Sequence, residues 1–353
     1  MGQLFLRMKA AVLRRANEPL LLEELEDPVP KHDEVLVKVE GCGLCHSDLH
    51  IWEGHYGAVG TEKMGIKLPL VLGHEIAGSI SALGESVTGY RAGERVIVYP
   101  WAGDGTCKLC LSGNEQYCAS IRPLGLSRDG GFAEKVLVPH YRHLVRAGGE
   151  LPLETIAPLS CAGITAYSSV KKAQSKPDEY LLIIGIGGLG HMAIELAANL
   201  FKPTIIAVDS RNEALDLAKS LGAEYAINPT TQDTTEELKK ITHGSRVDAA
   251  IDFVGLADTT LGAFKALRRG GRLVITGLSG DYPKFLLPEI PVKGITITGC
   301  YVGNMRDLSE LLQLARRGFV KPRASKMPLE KINEAMSMMK ERRIVGRIIM
   351  TTT

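Results

Sequence analysis

Three cysteines in one short stretch of the chain have the spacing of a metal site. The stretch, residues 103–118, reads GDGTCKLCLSGNEQYC and places Cys107, Cys110 and Cys118 in a C-x2-C-x7-C pattern. Zinc that is held for structural reasons is almost always bound by four ligands in a tetrahedron. The three thiolates therefore predict a metal site whose fourth ligand these cysteines do not supply.

A second set of candidate ligands is spread over three segments. Cys45 lies in GCGLCHSDLH, His74 in LGHEIAG and Cys161 in APLSCAGITAY. Catalytic zinc sites keep three protein ligands and leave a fourth position open for water or substrate. The separations are too long to be diagnostic alone, since such ligands meet only in the folded protein. Seven cysteines, an odd number, favour metal binding in a reducing compartment, with Cys42 and Cys300 interpreted as buried apolar side chains.

A glycine-rich turn follows the strand-like run YLLIIGI and opens a helical stretch. Gly185, Gly187 and Gly190 have G-x-G-x-x-G spacing, with Gly188 among them. Such glycines let the backbone approach a pyrophosphate, which the N-terminus of the following helix then stabilises. A glycine-rich turn without a ligand is the alternative interpretation of this motif alone.

Asp209 favours the ligand-binding interpretation of that turn. It ends the next strand-like run, TIIAVD, about twenty residues further on, where an acidic side chain accepts hydrogen bonds from the adenosine ribose. Its charge would repel a 2′-phosphate. The sequence therefore predicts NAD as the cofactor, while Arg211, two residues later, leaves NADP as the alternative.

Two different sequence patterns predict the elements that position these residues. Up to residue 160, short alternating runs such as EVLVKVE and ERVIVYP are broken by Gly and Pro, which indicates a strand-rich domain. Beyond it, apolar strand-like runs alternate with helical stretches, which predicts βαβ units and a doubly wound parallel sheet. Helical stretches near 305–317 and 328–340 and the strand-like VGRIIM follow. The predicted fold class is α/β.

The size, charge and hydropathy of the chain restrict its class. A length of 353 residues predicts two domains, one formed by residues 1–160 and 300–353 and one by 161–299. Lysine plus arginine number 42 against 40 acidic residues, which predicts no surface for nucleic acid or an anionic membrane. No apolar run approaches the roughly 18 residues of a membrane span, and the first residues do not read as a secretory signal. We therefore expect a cytoplasmic protein.

Taken together, these motifs resemble the zinc-dependent alcohol dehydrogenases of the medium-chain dehydrogenase/reductase family, nearly end to end. The resemblance rests on GLCHSDLH, GHE, CAGITAY, the cysteine-rich segment, GIGGLG, Asp209 and the terminal VGR. It is closest in style to the short tetrameric forms of bacteria, yeasts and archaea. It implies a Rossmann domain and a strand-rich GroES-like catalytic domain. It also implies a small alcohol or aldehyde substrate and a homotetramer, with a dimer as the alternative.

The resemblance also assigns the ligands of a catalytic zinc. It implies that Cys45, His74 and Cys161 bind this zinc, with Glu75 and Asp48 near or behind it. Polyol dehydrogenases of the same family carry a carboxylate in place of the third cysteine. Cys161 therefore argues against that branch.

In the family, the cysteine-rich segment holds a second, structural zinc through four cysteines spaced C-x2-C-x2-C-x7-C. Aligning this spacing places Cys107, Cys110 and Cys118 on the last three positions and Asp104 on the first. A carboxylate oxygen is an acceptable zinc ligand, so Asp104 completes the tetrahedron. The resemblance thus implies two Zn²⁺ per chain, with a weaker structural site because a carboxylate is a harder donor than a thiolate.

Further residues receive roles from the same resemblance. Ser47 and His50 match a relay that carries the alcohol proton through the cofactor ribose to solvent. The alternatives are a turn hydroxyl for Ser47 and a surface histidine for His50. The remaining matches are His46 and Arg347 with the cofactor pyrophosphate, Thr165 with the nicotinamide, and Trp52 and Trp101 with the surroundings of the substrate cleft.

The predicted activity is the reversible, NAD-dependent oxidation of primary or secondary alcohols to aldehydes or ketones. Zinc would activate the alcohol, and hydride would pass to NAD. One alternative is a related zinc dehydrogenase acting on a polyol or another specialised alcohol. The other is a non-catalytic nucleotide-binding protein of the same fold, against which the intact set of Cys45, His74 and Cys161 argues.

Overall fold

The computed structural model describes residues 6–56, 59–149, 151–280 and 282–352. The chain forms two compact units. The first comprises Met1–Ala162, Asn304–Arg316 and Pro322–Thr353, and the second comprises Gly163–Gly303 and Arg317–Lys321. Within the described ranges, no helix combines the length and the apolar composition needed to cross a membrane.

Strands outnumber helices in the described part of the first 162 residues. These are β1 (Arg7–Leu13), β2 (Leu21–Glu26), β3 (Val35–Gly43), β4 (His55–Tyr56), β5 (Val59–Gly60), β6 (Leu70–Val71), β7 (Glu75–Leu83), β8 (Arg95–Val98), β9 (Lys135–Val138) and β10 (Leu144–Arg146). The helices are α1 (His46–Glu53), α2 (Lys108–Leu111) and α3 (Leu153–Ile156), with 3-10 helices at Thr61–Met64, Glu115–Tyr117, Tyr141–His143 and Ala157–Ser160.

Strands and helices alternate through the second unit, and the chain then returns to the first. The alternating elements are α4 (Ala162–Ala173), β11 (Tyr180–Ile184), α5 (Gly190–Leu200), β12 (Thr204–Val208), α6 (Asn212–Ser220), β13 (Tyr225–Ile227), α7 (Thr234–Ile241), β14 (Val247–Asp252), α8 (Ala257–Ala266), β15 (Leu267–Ile275), α9 (Glu289–Lys293) and β16 (Thr296–Gly299). The last elements are α10 (Met305–Arg316), β17 (Ala324–Pro328), a 3-10 helix (Leu329–Lys331), α11 (Ile332–Lys340) and β18 (Arg347–Thr351).

The larger sheet of the first unit brings distant segments to one end of β3. Its strand order is β10-β8-β7-β3-β18-β17, and β9 also pairs with β3. Strands β3 and β7 are antiparallel with Gly43 opposite Glu75, and β18 pairs antiparallel with β3 at the same end. Cys45 after β3, His74 before β7 and Arg347 at the start of β18 therefore lie close together. Strands β2, β1 and β6 form a separate sheet, and β4 pairs with β5.

The second unit contains a parallel sheet with the order β13-β12-β11-β14-β15-β16. Strands β12 and β13 are added on one side of β11, and the parallel strands β14, β15 and β16 on its other side, so the order of strands reverses between β11 and β14. In such doubly wound sheets, ligands bind outside the carboxyl ends of the strands at this switch point. The predicted doubly wound parallel sheet is confirmed. Its core is apolar and includes Leu182, Ile206, Ala250, Phe264 and Leu273.

The last part of the chain contains one strand that the sequence did not predict. Helices α10 and α11 fall near the predicted stretches. Between them, β17 pairs in parallel with β18, with Ala324 opposite Arg347. Pro328, the first residue of the second predicted helix, ends this strand instead.

Candidate active site and cofactor site

Four buried side chains of the first unit converge beyond the end of β3. The ligand atoms of Cys45, His74, Glu75 and Cys161 all lie within 4.8 Å of one another. Cys45 directly precedes α1, His74 directly precedes β7, and Cys161 follows the 3-10 helix Ala157–Ser160. The structure thus brings the three ligands from separate segments together and adds the carboxylate of Glu75.

Asp48 holds two of these ligands in place. Its Oδ2 accepts a hydrogen bond from the backbone N–H of Cys45 at 2.8 Å, and its Oδ1 accepts one from the N–H of Gly73 at 3.1 Å. The same Oδ1 lies 3.4 Å from Nδ1 of His74, and both side chains are fully buried. A carboxylate beside one imidazole nitrogen fixes the orientation of the ring. Asp48 therefore leaves Nε2 of His74 available to bind another group.

The donor atoms of this cluster fit a zinc ion. Nε2 of His74 is buried and has no hydrogen-bonding partner among the described residues. Buried polar atoms almost always have a partner, so an unpartnered nitrogen is expected to bind another group. Two cysteine sulfurs and one histidine nitrogen are an established ligand set for catalytic zinc, with the fourth position open. Cys45, His74 and Cys161 supply this set.

The charges of the cluster also favour a cation. A hydrogen bond from the thiol of Cys161 lowers the pKa of Cys45 well below its usual value, while the same interaction raises the pKa of Cys161. Burial lowers the pKa of His74, but the negative charges of Asp48 and Cys45 outweigh burial and raise it well above normal. The surroundings therefore stabilise positive charge between these side chains.

Glu75 faces the cluster on one side and Arg347 on the other. Its Oε1 forms a buried ion pair with the Arg347 guanidinium and accepts a hydrogen bond from the N–H of Ala162 at 3.2 Å. Burial raises the pKa of Glu75 to about 7, although Arg347 opposes the shift. A Cβ at Gly43 would lie 2.0 Å from Oε2 of Glu75, so only glycine leaves room for this carboxylate.

Two residues predicted at the cofactor have other contacts in their own units. Arg347 is only 4% exposed and lies against Glu75. The sequence carried no signal for this pair, because 272 positions separate the two residues. Thr165 is buried, and its carbonyl accepts a hydrogen bond from Oγ of Ser169 at 2.7 Å. Contacts of Arg347 with the pyrophosphate and of Thr165 with the nicotinamide stay predictions.

Helix α1 carries the predicted relay residues beside the metal cluster. Oγ of Ser47 lies 3.9 Å from Sγ of Cys45. The rings of His46 and His50 meet edge to face, with their centroids 4.8 Å apart. Burial, reinforced by His46, lowers the pKa of His50 to about 4. The imidazole of His50 is therefore neutral near pH 7.

The two tryptophans have different surroundings. Trp101 is buried edge-on against the ring of His74, with centroids 5.7 Å apart, and forms one wall of the metal cluster. Trp52 donates a hydrogen bond from Nε1 to the carbonyl of Glu18 at 2.7 Å. The ammonium of Lys340 lies 4.7 Å from the centre of the Trp52 ring. A position of Trp52 near a substrate stays a prediction.

The cysteine-rich segment forms a second compact group of ligand atoms. Those of Asp104, Cys107, Cys110 and Cys118 lie within 4.8 Å of one another. The Sγ atoms of Cys107 and Cys110 are 3.5 Å apart, and Oδ2 of Asp104 is 3.3 Å from Sγ of Cys118. Cys107 caps the short helix α2 by accepting from the N–H of Cys110. The structure places Asp104 where the fourth ligand was predicted.

The two oxygens of Asp104 have separate surroundings. Oδ1 accepts hydrogen bonds from the N–H groups of Thr106 at 2.8 Å and Cys107 at 2.9 Å. These bonds lower the pKa of Asp104 well below its usual value, so the carboxylate is ionised. Oδ2 faces the sulfur of Cys118. One oxygen therefore shapes the turn while the other is oriented as a metal ligand, so the four residues fit zinc.

The glycine-rich turn of the second unit has the geometry of a dinucleotide site. Gly185 has φ of 88°, a left-handed conformation that favours glycine. A Cβ at Gly190 would lie 2.1 Å from the carbonyl oxygen of Gly185, so the helix approaches the strand closely only with glycine there. A Cβ at Gly187 would meet nothing within 4 Å, which leaves open space beside the turn. Gly188 lies in the same turn.

Asp209 lies directly after β12 and is bound to that turn. Its Oδ2 accepts a hydrogen bond from the N–H of Ile186 at 2.7 Å. Its Oδ1 accepts from the backbone N–H of Arg211 at 3.0 Å and from Nε of Arg211 at 3.1 Å. The acidic residue predicted to bind the ribose is thus paired with the cation that left NADP open as an alternative. The sequence spacing suggested both residues but not their direct ion pair.

Known families and proteins match nearly the whole chain. Residues 31–148 match the alcohol dehydrogenase GroES-like domain, and residues 188–317 match the zinc-binding dehydrogenase family. An NAD-dependent alcohol dehydrogenase of Sulfurisphaera tokodaii is 42% identical over 347 residues, which are 97% of this chain and 99% of that protein. The chain belongs to the zinc-type medium-chain alcohol dehydrogenase family. The family predicted from the motifs is confirmed.

Other members of this alcohol dehydrogenase family are similar in fold and sequence. The crystal structure of the alcohol dehydrogenase from the archaeon Aeropyrum pernix has a TM-score of 0.91 and 35% identity, covering 97% of this chain and 99% of that one. The predicted combination of a GroES-like and a Rossmann domain is therefore confirmed. A D-arabinose 1-dehydrogenase (NADP(+)) of Saccharolobus solfataricus is 34% identical over 350 residues, covering 98% of both chains.

Proposed function

We propose that this alcohol dehydrogenase family member oxidises primary or secondary alcohols to aldehydes or ketones with NAD, reversibly. The convergence of Cys45, His74 and Cys161 at one buried site carries the proposal. The names of the Sulfurisphaera tokodaii and Aeropyrum pernix relatives support it. In this proposal, residues 1–160 and 300–353 form the catalytic domain, and residues 161–299 form the cofactor domain.

The residues of the first unit would hold the metal and move the proton. Cys45, His74 and Cys161 would bind the catalytic zinc, which when bound supplies a Lewis acid that lowers the pKa of a hydroxyl group. Asp48 orients His74 from behind. Ser47 would accept the alcohol proton, and the neutral imidazole of His50 would pass it toward solvent.

Glu75 and Arg347 would balance the charge of this site. Two thiolates with a divalent cation are neutral overall, so an additional buried carboxylate requires a compensating charge. Arg347 supplies it through the ion pair with Glu75. Glu75 is thereby held near the metal ligands without adding net negative charge.

The second unit would bind the cofactor. The turn containing Gly185, Gly187, Gly188 and Gly190 would receive the pyrophosphate at the N-terminus of α5. Asp209 would accept hydrogen bonds from the adenosine ribose, which favours NAD. Arg211 would lie beside the same ribose, and His46 and Arg347 would contact the pyrophosphate.

An aldose dehydrogenase that uses NADP is the second candidate function. The ion pair between Asp209 and Arg211 favours it, because Arg211 already lies where a 2′-phosphate would need a cation. The 34% identity to the D-arabinose 1-dehydrogenase (NADP(+)) supports it as well. Against it, the carboxylate of Asp209 would repel a 2′-phosphate.

A substrate panel separates these two functions. The purified protein is incubated with primary alcohols, secondary alcohols and aldoses, each with NAD and with NADP, and the absorbance of the reduced nicotinamide is followed. We expect faster reduction of NAD with simple alcohols than with any aldose. Turnover restricted to aldoses and NADP would establish the second function, and no turnover with any pair would contradict both.

We further propose two zinc ions per chain, the second held by Asp104, Cys107, Cys110 and Cys118. All four ligands come from one short segment and leave no open position, which suits a structural rather than a catalytic metal.

Asp104→Ala is expected to promote loss of one zinc and to lower the temperature midpoint of inactivation. Initial activity at low temperature should stay near that of the wild type.

Two further variants separate the roles of Asp104. Asp104→Asn keeps an oxygen for the N–H groups of Thr106 and Cys107 but weakens the metal ligand, so it should also lose zinc. Asp104→Cys should bind zinc at least as well as the wild type. Elemental analysis gives the zinc content, and residual activity after heating gives the midpoint. One zinc per chain in fully active protein, with Asp104→Ala as heat-resistant as the wild type, would refute the structural zinc.

We also propose that the protein is a homotetramer, with a dimer as the alternative. Strand β16 lies at an edge of the parallel sheet, and exposed edges invite pairing with another chain. Large apolar side chains just before it are exposed, namely Leu286, Leu287 and Val292. Such a patch on one unit is typical of an interface. A monomer in sedimentation velocity at micromolar concentration would contradict the proposal.

We propose a cytoplasmic location, since the near balance of 42 basic and 40 acidic side chains offers no electrostatic attraction to nucleic acid or an anionic membrane. Recovery of the protein in the membrane fraction of lysed cells would contradict this location.

A further inference from the structure

A third group of metal-binding side chains lies at the end of α1, apart from the two clusters already described. It consists of His50, Glu53 and His55, whose ligand atoms lie within 4.8 Å of one another. Nε2 of His55 is 3.7 Å from Oε2 of Glu53. The rings of His50 and His55 are tilted by 51° with their centroids 6.2 Å apart.

The local backbone explains why these three side chains meet. His50 and Glu53 are three residues apart on α1, so their side chains share one face of the helix. Gly54 ends the helix with φ of 79°, a left-handed conformation that turns the chain back. His55 then begins β4, where it pairs with Gly60. The glycine cap thus returns His55 to the face that carries the other two side chains.

An ion pair alone does not account for this arrangement. A partly exposed His–Glu pair contributes little to stability. Two imidazoles and one carboxylate are the ligand set of several zinc enzymes. With zinc bonds of about 2.0–2.1 Å, tetrahedral ligands lie roughly 3.3 Å apart. The 3.7 Å between His55 and Glu53 is close to that separation, and rotation of the half-exposed His55 would supply the rest.

The position at a helix C-terminus also favours a cation. The last carbonyl groups of a helix carry partial negative charge, which stabilises a positive charge placed there. His50 lies in the last turn of α1, and Gly54 is its C-terminal cap. The carboxylate of Glu53 adds a full negative charge at the same place.

We propose that His50, Glu53 and His55 form a binding site for a divalent transition-metal cation such as Zn²⁺, and that its occupancy inhibits turnover. The inhibitory part rests on the proposed function, because it requires His50 to accept the proton of the alcohol. A metal ion bound to the imidazole of His50 would take one of the two ring nitrogens through which the proton must enter and leave. Excess zinc would therefore stop the relay without disturbing the two zinc sites that include Cys45 and Asp104.

The experiment uses the zinc-loaded protein near pH 7, titrated with additional Zn²⁺. Calorimetry measures binding, and turnover with an alcohol and NAD is measured at the same zinc concentrations. His55→Gln is the test variant, since His55 has no role in the proposed chemistry. Loss of an outer partner alone weakens metal sites roughly 10- to 100-fold, so loss of this direct ligand should weaken binding at least about tenfold. Basal turnover should be unchanged, and inhibition should shift to correspondingly higher zinc.

A matched control is His32→Gln, which removes another exposed histidine paired with a glutamate. Nδ1 of His32 lies 2.9 Å from Oε1 of Glu85. This variant should bind and respond to zinc like the wild type, and Mg²⁺, which prefers oxygen ligands, should not replace zinc. Equal binding and inhibition in wild type and His55→Gln would overturn the site. Binding that depends on His55 without inhibition would overturn its link to His50. If no alcohol is turned over but binding still depends on His55, the proposed function fails and the metal site stands.

Discussion

Replacing Cys45 or His74 with alanine is expected to abolish alcohol turnover while leaving NAD binding largely intact. In the first unit these side chains converge with Cys161 and Glu75. The glycine turn and Asp209 belong to the second unit. Since different segments supply the metal ligands and the cofactor site, loss of one function should not bring loss of the other. Steady-state kinetics and NAD titration by fluorescence measure the two separately.

The size of the effect follows from the acidity of the substrate. Water has a pKa of roughly 15.7, which falls to about 7 when it is bound to a catalytic zinc, and an alcohol hydroxyl held in the same way would be acidified similarly. At about 1.36 kcal/mol per pKa unit, this difference is on the order of 12 kcal/mol. Even one third of it corresponds to about a thousandfold in rate. Ser47 and His50 do not replace this contribution, because they move the proton only after the hydroxyl has become acidic.

Cys42→Ala is the matched control for Cys45→Ala. Cys42 is also a fully buried thiol, and it lies on β3 just before the metal ligands. It is absent from the cluster of ligand atoms. This variant should lose some stability and keep its turnover. Retained turnover in zinc-depleted Cys45→Ala protein would refute the proposed mechanism.

The sequence was sufficient to predict the parallel sheet but not every strand of the other sheets. Strands β11, β12 and β14 are apolar runs bounded by turns, so their pattern alone predicts them. Strand β17 reads ASKMP, and nearly all of it is exposed. It contains neither an apolar alternation nor residues that favour strands. It pairs with β18 along its whole length, with Ala324 opposite Arg347, in a register that no local pattern encodes.

The metal ligands were predictable, whereas their surroundings were not. The family resemblance of the motifs around them suggested Cys45 and His74, although the spacing of these residues was not diagnostic by itself. The ion pair of Glu75 with Arg347 depends on the register of β3 against both β7 and β18. Local sequence contains no information on that register. For the same reason, the sequence suggested a cofactor contact for Arg347 but not its burial against Glu75.

The site at His50, Glu53 and His55 shows the same limit at shorter range. The three residues lie within six positions, yet a surface histidine was the natural alternative for His50. Their convergence depends on the left-handed conformation of Gly54, which ends α1 and reverses the chain. A glycine at that position is compatible with several conformations. The sequence therefore permits the cluster, and the backbone determines it.

Asp209→Ala is expected to weaken the binding of NAD more than that of NADP and to narrow the preference for NAD. Hydrogen bonds to a charged group are worth about 1.5–3 kcal/mol, so the kcat/KM for NAD should fall roughly ten- to a hundredfold. The substitution also removes the partner of Arg211. The freed guanidinium would then bind the 2′-phosphate of NADP. The kcat/KM for NADP should therefore fall less than the kcat/KM for NAD.

Two further variants test whether Asp209 acts on the ribose or only supports the turn. Asp209→Asn keeps an oxygen for the N–H of Ile186, which Asp209 binds at 2.7 Å, but removes the charge. It should therefore retain the turn and still lose discrimination against NADP. Adding Arg211→Ala to Asp209→Ala should remove the remaining NADP activity, because no cation is left beside the phosphate. Equal kcat/KM for both cofactors in the wild type would refute the predicted preference for NAD and shift attention to Arg211. An equal loss for both cofactors in Asp209→Ala would show that Asp209 has a structural role alone.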